Sequence, residues 1–387
     1  MSASILGIGP VCALGCGVRA LREGLEGTRR PTIERRDVDI GQGRPFPLGV
    51  FTSCADELEH FLPKRALRRM DPFVRMALLS AYLAVEDARI AFSDPERVGV
   101  VLGSAYGPLQ TTFAFQDSLI DFGDKCASPT HFANSVHNAL ASQVSISMNL
   151  QGPGQTVTTL GLSTAGAFLT AMLWIERDEA DFVLVGAGDE LCPVRGYAEA
   201  RMLAEAGGKM DSGDAIRPFA FDECTYAPGE GFATFLLGKE GAPNRYARVS
   251  RVLMGKEALE NEGDLVDALD AVFLAANGNC AEGAAYRHLA QKARRTAAYA
   301  PFYGSMPTGD AFDIAIAALA LKEGRLSPSP DASGAENLPG VVRDGQAKDR
   351  NDNKDNKNPN AEVFSGASIG CLKCDEDGCA SLIVLAK

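Results

Sequence analysis

The sequence predicts an α/β fold built on central, mainly parallel sheet, and three observations carry that expectation. Strand-like and helix-like runs alternate along most of the chain, Ser4 to Gly9 and Arg97 to Leu102 read as buried strands, and the alternation runs through a similar pattern twice. Ser4 to Gly9 is followed by a helix over Val18 to Leu25. Asp71-Pro72 is a helix start of the cap-then-proline kind, and the apolar spacing from Phe73 to Ala88 predicts a long, largely buried helix. Arg97 to Leu102 ends at Gly103. Gln155 to Leu160 is a strand passing at Gly161 into a helix of small and apolar residues through Trp174, and Asp181 to Gly188 is a further β-rich run. Strands follow over Gly231 to Leu237 and Tyr246 to Leu253. The alternation resumes with Leu265 to Ala276 and Asp310 to Lys322, and an apolar run from Cys379 to Ala386 ends the chain. We expect two halves, 1–240 and 241–387, with the polar stretch at about 344–361 as an exposed loop too poor in apolar residues to pack.

Composition narrows the function classes. With 387 residues, 46% of them hydrophobic, the chain can bury a large core. A formal charge of -12 argues against nucleic acid, because neutralising phosphates needs a basic face. Arg29-Arg30, Arg35-Arg36 and Lys64 to Arg69 are local basic groups, read as solvated surface, with a docking patch for an acidic carrier protein as the alternative. The apolar stretches Ala165 to Ile175 and Ile314 to Leu321 fall short of the roughly 20 residues of a bilayer span. No Lys or Arg precedes Arg19, and Gly7, Gly9 and Pro10 interrupt the N-terminal run, unlike a secretory signal, so a cytoplasmic location is expected. Ten scattered Cys suit reduced, mostly buried thiols. Cys371 and Cys374 have the C-x2-C spacing of a zinc site, but no fourth ligand stands at finger-like spacing from them and Cys379; a plain C-terminal strand without metal is expected. No phosphate loop or dinucleotide fingerprint is present, and no cofactor is expected.

Several segments resemble the β-ketoacyl synthase (thiolase-fold) family, in matching order. Ile8-Gly9-Pro10-Val11 with Ala13-Leu14-Gly15 is similar to its opening strand and turn, Ser135-Val136-His137-Asn138 followed by Gly152-Pro153 to the approach to its nucleophile, and Arg217-Pro218-Phe219 with Pro228-Gly229-Glu230-Gly231 to its most specific motif. The resemblance covers most of the chain and fades after about residue 255. It implies a five-layer αβαβα architecture of two pseudo-symmetric halves, and a tight dimer in which the strand before the nucleophile helix pairs across the interface.

The same resemblance implies that the chemistry is missing. The family Cys lies nine residues after the Gly of the Gly-Pro pair, at a helix N-terminus that favours thiolate; here that position is Gly161. Ser163 and Thr164 stand just beyond, without a visible base, and are expected to cap or pack the helix. Of the two family imidazoles, which stabilise the enolate of decarboxylation, the first falls on Asn277 and the second on Gly304, with Tyr299 at the accompanying Lys. The hydrophobic gate falls on Asp375-Glu376-Asp377-Gly378. His60, His131, His137 and His288 lie on no catalytic position, and His137 is expected as a hydrogen-bonded core residue. The chain is therefore similar to the chain length factor of type II polyketide and aryl polyene systems. That implies a heterodimer with an active ketosynthase, and contact with acyl carrier protein through that partner. Tyr106 and His131, with Phe113 and Phe115, would then line the acyl tunnel where it reaches the interface. The competing expectations are a thiolase-fold acyltransferase or hydrolase with an unusual nucleophile, and a homodimeric acyl-binding protein.

Overall fold

Among the described residues the apolar runs form ten principal strands, five in each half of the chain. They are β1 (Ala3–Cys12), β2 (Val98–Gly103), β3 (Gly154–Val157), β4 (Phe182–Asp189) and β5 (Gly231–Lys239), then β6 (Arg248–Gly255), β7 (Ala271–Leu274), β8 (Thr296–Ala297), β9 (Ser368–Cys374) and β10 (Ala380–Ala386). This computed structural model describes residues 2–43, 45–68, 70–205, 216–239, 246–255, 263–343, 361–375 and 379–387. The boundary expected at 240 and the polar stretch 344–360 lie outside the described residues.

Each half orders its strands the same way in space. The first reads β3-β2-β4-β5-β1 and the second β8-β7-β9-β10-β6, so in both the third strand of the half is at one edge and the first at the other. In both, the first three positions are parallel and the last two joins antiparallel. The two sheets meet through a short antiparallel contact of β1 with β6, Ala3 opposite Val249 and Ser4 opposite Arg248. A doubled sheet of this kind is what the family resemblance implies.

Helices α1 (Gly17–Leu25), α2 (Pro72–Ala88), α3 (Leu109–Phe122), α4 (Pro129–Ser135), α5 (Ala139–Met148), α6 (Ser163–Glu176), α7 (Pro193–Glu205), α8 (Gly263–Ala268), α9 (Gly283–Lys292) and α10 (Asp310–Glu323) complete the layers. α6 and α10 pack on strands of both sheets and form the shared middle layer. Their composition requires it: every residue of α10 from Asp310 to Leu321 is buried, and a helix that is apolar all round must be covered on all sides. α2 lies on the outer face of the first sheet, against β1 and β5, and α9 on β7 of the second. α2 begins as its sequence predicts, with the Asp71 carboxylate accepting from Phe73 N at 2.8 Å and Pro72 in the first turn, and it ends at Arg89 in the left-handed conformation.

The sheet is mixed and not mainly parallel as expected, since the joins of β4, β5, β1, β6, β10 and β9 in turn are all antiparallel. Two elements also differ from expectation. The strand predicted to reach Leu160 stops at Val157, and α6 begins at Ser163, not Gly161, because Leu160 adopts φ +48° and the Thr159 amide donates to the Ser163 hydroxyl at 2.9 Å, winding 160–162 into a tight turn. Leu265 to Ala276 divides into the end of α8 and strand β7.

Gly9 shows how closely the layers approach. A Cβ there would lie well inside contact distance of the Ser80 carbonyl oxygen and 2.6 Å from Ala84 N, so the α2 backbone rests directly on β1. Ser80 Oγ then donates to Gly9 O at 2.5 Å, a bond open only at that separation. Gly9→Ala is therefore expected to destabilise the fold by about 1–3 kcal/mol through overpacking, whereas Gly196→Ala, in α7 with nothing near its Cβ position, is expected to stabilise by about 0.5–1 kcal/mol. Urea unfolding of both variants checks the opposite signs.

Candidate functional site

The carboxyl ends of β2 and β4 from the first sheet and of β7 and β9 from the second converge on the N-termini of the two middle helices, the place where an open α/β sheet gathers loops and helix dipoles. Gly161 sits here, buried in the turn before α6. Its φ is unstrained, and a Cβ at this position would meet only Lys373 Cε at 3.5 Å and Asp375 Cβ at 3.8 Å, both ordinary contacts. The backbone would accept a side chain that the sequence does not supply.

Ser163 is fully buried and tied to its own turn: its hydroxyl accepts from Thr159 N and points at the carbonyls of Leu160 (2.7 Å) and Ser104 (3.0 Å). Thr164 Oγ1 donates to the Asp310 carboxylate at 2.6 Å, joining the first turns of α6 and α10. Both hydroxyls pack into the first turn of α6 without capping it, and neither lies beside an imidazole: Ser163 faces backbone groups and Thr164 the Asp310 carboxyl.

Asn277 is buried at the end of β7. Its side-chain oxygen accepts from Asn279 N at 3.1 Å, and its carbonyl accepts from Ser305 Oγ at 2.5 Å. Gly304, expected to stand where the second imidazole is lost, has no room for any side chain. Its φ is +86°, and a Cβ would lie 2.7 Å from Gly229 Cα and 2.8 Å from Phe51 Cβ. The next residue, Ser305, is the side chain that faces the Asn277 loop. Tyr299 is buried, with its hydroxyl donating to Ser327 O at 2.7 Å. Of the acidic turn expected at the gate position, Asp375 accepts from Cys379 N at 2.7 Å, and residues 376–378 lie outside the described residues.

The site's polar content comes from residues that motif reading passed over. Lys373, 3% exposed at its side chain, pairs with Glu282 at 3.3 Å. Asp189 accepts from Ser104 Oγ, Ala105 N and Thr308 Oγ1, each at 2.8 Å, tying β2, β4 and the loop before α10 together. Buried Arg195 donates to Glu199 at 2.6 Å and to the carbonyls of Glu190, Gly229 and Ser305. Asp313 accepts from Tyr303 Oη at 2.9 Å, and burial holds its carboxyl well above the usual range. Burial likewise raises Asp310 to about 7, against the opposing pull of Thr164 and Lys373. Burial also disfavours the Lys373 ammonium, but Glu282 and Asp310 outweigh it and leave the lysine raised. A sequence signal existed: Lys373 stands within the buried strand β9, and Asp310 and Asp313 open an otherwise apolar helix.

A cleft of about 560 Å³ opens beside α2 and the start of α7, lined by Phe73, Met76, Glu190, Cys192 and Glu230 among others. Burial, with Asp71 and Glu230 close by, raises the Glu190 carboxyl to about 7.

The expected tunnel residues gather on another corner. Tyr106 enters α3 with its ring 5.6 Å from the Arg195 guanidinium carbon; Phe113 is exposed on α3, Phe115 stacks obliquely on Phe132 at 5.3 Å, and His131 is exposed on the packed helix α4. All four histidines are exposed, and His137 is a correction: its ring lies over Gly107 at the surface, because α5 starts only at Ala139 and leaves 136–138 outside the packed layer. Cys371 and Cys374 are buried in β9, three residues apart and so on opposite faces of the strand, where they do not converge on one ion.

Asp310 gives the site a pH signature. Its carboxyl stays protonated in the folded chain to about 7, whereas the unfolded chain ionises it near about 4. Its contribution to stability is therefore fully present below pH about 4 and is lost as pH rises through 7. Asp313 and Glu190 act in the same direction. Asp310→Asn, which keeps an acceptor for Thr164, should make the fall in unfolding free energy between those pH values shallower; chemical unfolding at a series of pH values checks it, and an unchanged slope refutes it.

The chain matches the model of the β-ketoacyl synthase N-terminal domain over residues 17–241. It is 28% identical over 205 residues to 3-oxoacyl-[acyl-carrier-protein] synthase 2 of Staphylococcus aureus (strain N315), a match covering 51% of this chain and 49% of that protein. The chain thus spans about half the length of the curated relatives it matches. In three dimensions it is similar over its full length to the ishigamide ketosynthase/chain length factor (TM-score 0.77, 17% identity, 100% of this chain and 99% of that one). It is also similar to a ketosynthase (ApeO) in complex with its chain length factor (ApeC) from Xenorhabdus doucetiae (TM-score 0.76, 15% identity, 100% and 98%). With the family's doubled sheet and shared helical layer, and a family match over more than half its length, this chain belongs to the β-ketoacyl synthase family.

Proposed function

We propose that the chain is a non-condensing β-ketoacyl synthase-like subunit, a chain length factor. It pairs with an active ketosynthase and shapes the acyl tunnel in type II polyketide, polyene or fatty acid biosynthesis. The observation that carries this reading is an apolar surface with nothing over it among the described residues. Ile120 is 80% exposed, Ile146 73% and Phe132 59%, on α3, α5 and α4, with Phe122 and Leu160 exposed as well. β3 stands at the edge of the first sheet, paired among the described residues only with β2. Exposed apolar side chains beside an open strand edge are a liability in a monomer and the raw material of an obligate interface.

Gly161 supports the absence of condensation, since without a side chain no acyl thioester forms there, and Ser163 is engaged by its own turn. Asn277 offers an amide in place of one imidazole, and Ser305 a hydroxyl already given to the Asn277 carbonyl. Acyl carrier protein would be engaged through the ketosynthase. No described helix is long and apolar enough to cross a membrane.

Co-expression with a Cys-bearing ketosynthase should give a one-to-one complex by light scattering, and Ile120→Asp or Ile146→Asp should weaken it by about 30-fold or more, the loss of roughly 2 kcal/mol at an interface anchor. A stable monomer of the chain that ignores the ketosynthase refutes the reading.

Tyr106, Phe113, Phe115 and His131 share the α3/α4 corner, where a tunnel from the partner would end. Each further CH₂ buried there favours binding by about 0.8 kcal/mol, whereas a clash costs roughly 1–3 kcal/mol, enough to end elongation sharply. Tyr106→Ala and His131→Ala are expected to lengthen the products of the intact complex, read by mass spectrometry. Unchanged product lengths from both variants would leave the four residues a packing role only.

A further inference from the structure

A scaffold that loses a nucleophile and two imidazoles from its interior is left with a void, and voids are costly to a close-packed core. Here the space in front of Gly161 is not left open. Lys373 reaches it from β9 of the second sheet, with its Cε 3.5 Å from where a Cβ on residue 161 would stand. Its methylene stem supplies the apolar volume, and its ammonium pairs with Glu282 ahead of α9, whose side chain is 7% exposed. The Asp310 carboxylate, bonded to Thr164 in the first turn of α6, is the second acidic group acting on the same ammonium. A buried charge persists only when it is compensated, so Glu282 holds the ammonium in place and Asp310 adds to that hold as its carboxyl ionises. They also span the molecule, since Lys373 belongs to the second sheet and Thr164 to the helix that begins beside Gly161.

We propose that Lys373 is the built-in occupant of the vacated site: with Glu282 and Asp310 it closes the space before Gly161, so that restoring a thiol at position 161 does not by itself restore acylation. This rests on the reading of the chain as non-condensing and extends it. The site is shut by a side chain, in addition to lacking its nucleophile.

Two measurements on the isolated chain test the proposal. In the unaltered protein, acetylation by an N-hydroxysuccinimide ester, followed lysine by lysine by peptide mass spectrometry, should modify Lys373 at least tenfold more slowly than Lys64. The second compares G161C with G161C/K373M and with G161C/K373M/E282Q, in which the carboxylate is neutralised along with its partner. Each is offered S-octanoyl-N-acetylcysteamine, whose acyl group passes to the introduced sulfur as the N-acetylcysteamine thiol leaves. The introduced thiol should be acylated at least tenfold faster in the double or triple variant than in G161C. Equal rates, an introduced thiol that stays unmodified in folded double and triple variants, or a Lys373 as reactive as Lys64 would each overturn the proposal. Should the multiple variants fail to fold, the lysine rates decide. Failure to pair with a ketosynthase would refute the subunit reading and leave all these rates unchanged, so the two failures are distinguishable.

Discussion

The hydrogen bond between Thr164 and Asp310 stands where the constraint that governs this molecule is tightest. Two sheets share one layer of helices, and α6 and α10 in that layer are covered by strands of both. A polar group along their buried length is costly unless partnered, and Asp313, whose Oδ2 has no hydrogen-bond partner among the described residues, meets that demand only through its other oxygen. Polar groups are therefore confined to the helix tips, where free N–H groups and the ends of the strands can satisfy them. Thr164 and Asp310 are those tips, bonded at 2.6 Å.

The rest of the site follows from satisfying that corner. Asp310 is protonated up to about 7 because burial is resisted by little more than a hydroxyl and an ammonium already shared with Glu282. Arg195 performs the same service on the other side, where its guanidinium supplies donors to three carbonyls and to Glu199, joining the start of α7 to the loop carrying Ser305. Asp189 gathers the backbone of the α3 approach and Thr308. The charged groups buried at this corner are largely answered by one another: Lys373 by Glu282, Arg195 by Glu199. An ion-pair cluster of this kind specifies geometry more than it adds stability, since desolvation offsets much of the Coulomb attraction.

The outer surface completes the picture. The helices α3 and α4 present aromatic and branched side chains outward, yet they lead back through Tyr106 and Arg195 to the polar interior. The exposed corner and the buried polar groups are thus joined through one loop, in which Tyr106 lies against Arg195.

Local pattern was enough to read the alternation of strands and helices, the capped start of α2 at Asp71-Pro72 and the largely apolar character of the middle helices. Each of these depends on neighbours within a few turns or on a fixed spacing, and sequence carries such information directly. Only the tertiary structure decided that a side chain is impossible at Gly304, that His137 lies on the surface, that α3 and α4 leave an apolar face open, and that Lys373 stands before Gly161. The partners in these cases are far apart in the chain, 91 residues for Lys373 with Glu282 and 146 for Thr164 with Asp310. No periodicity links residues at those separations. They meet because two sheets built from different halves of the sequence close on the same pair of helices, and the charge each side buries there has to be answered by the other.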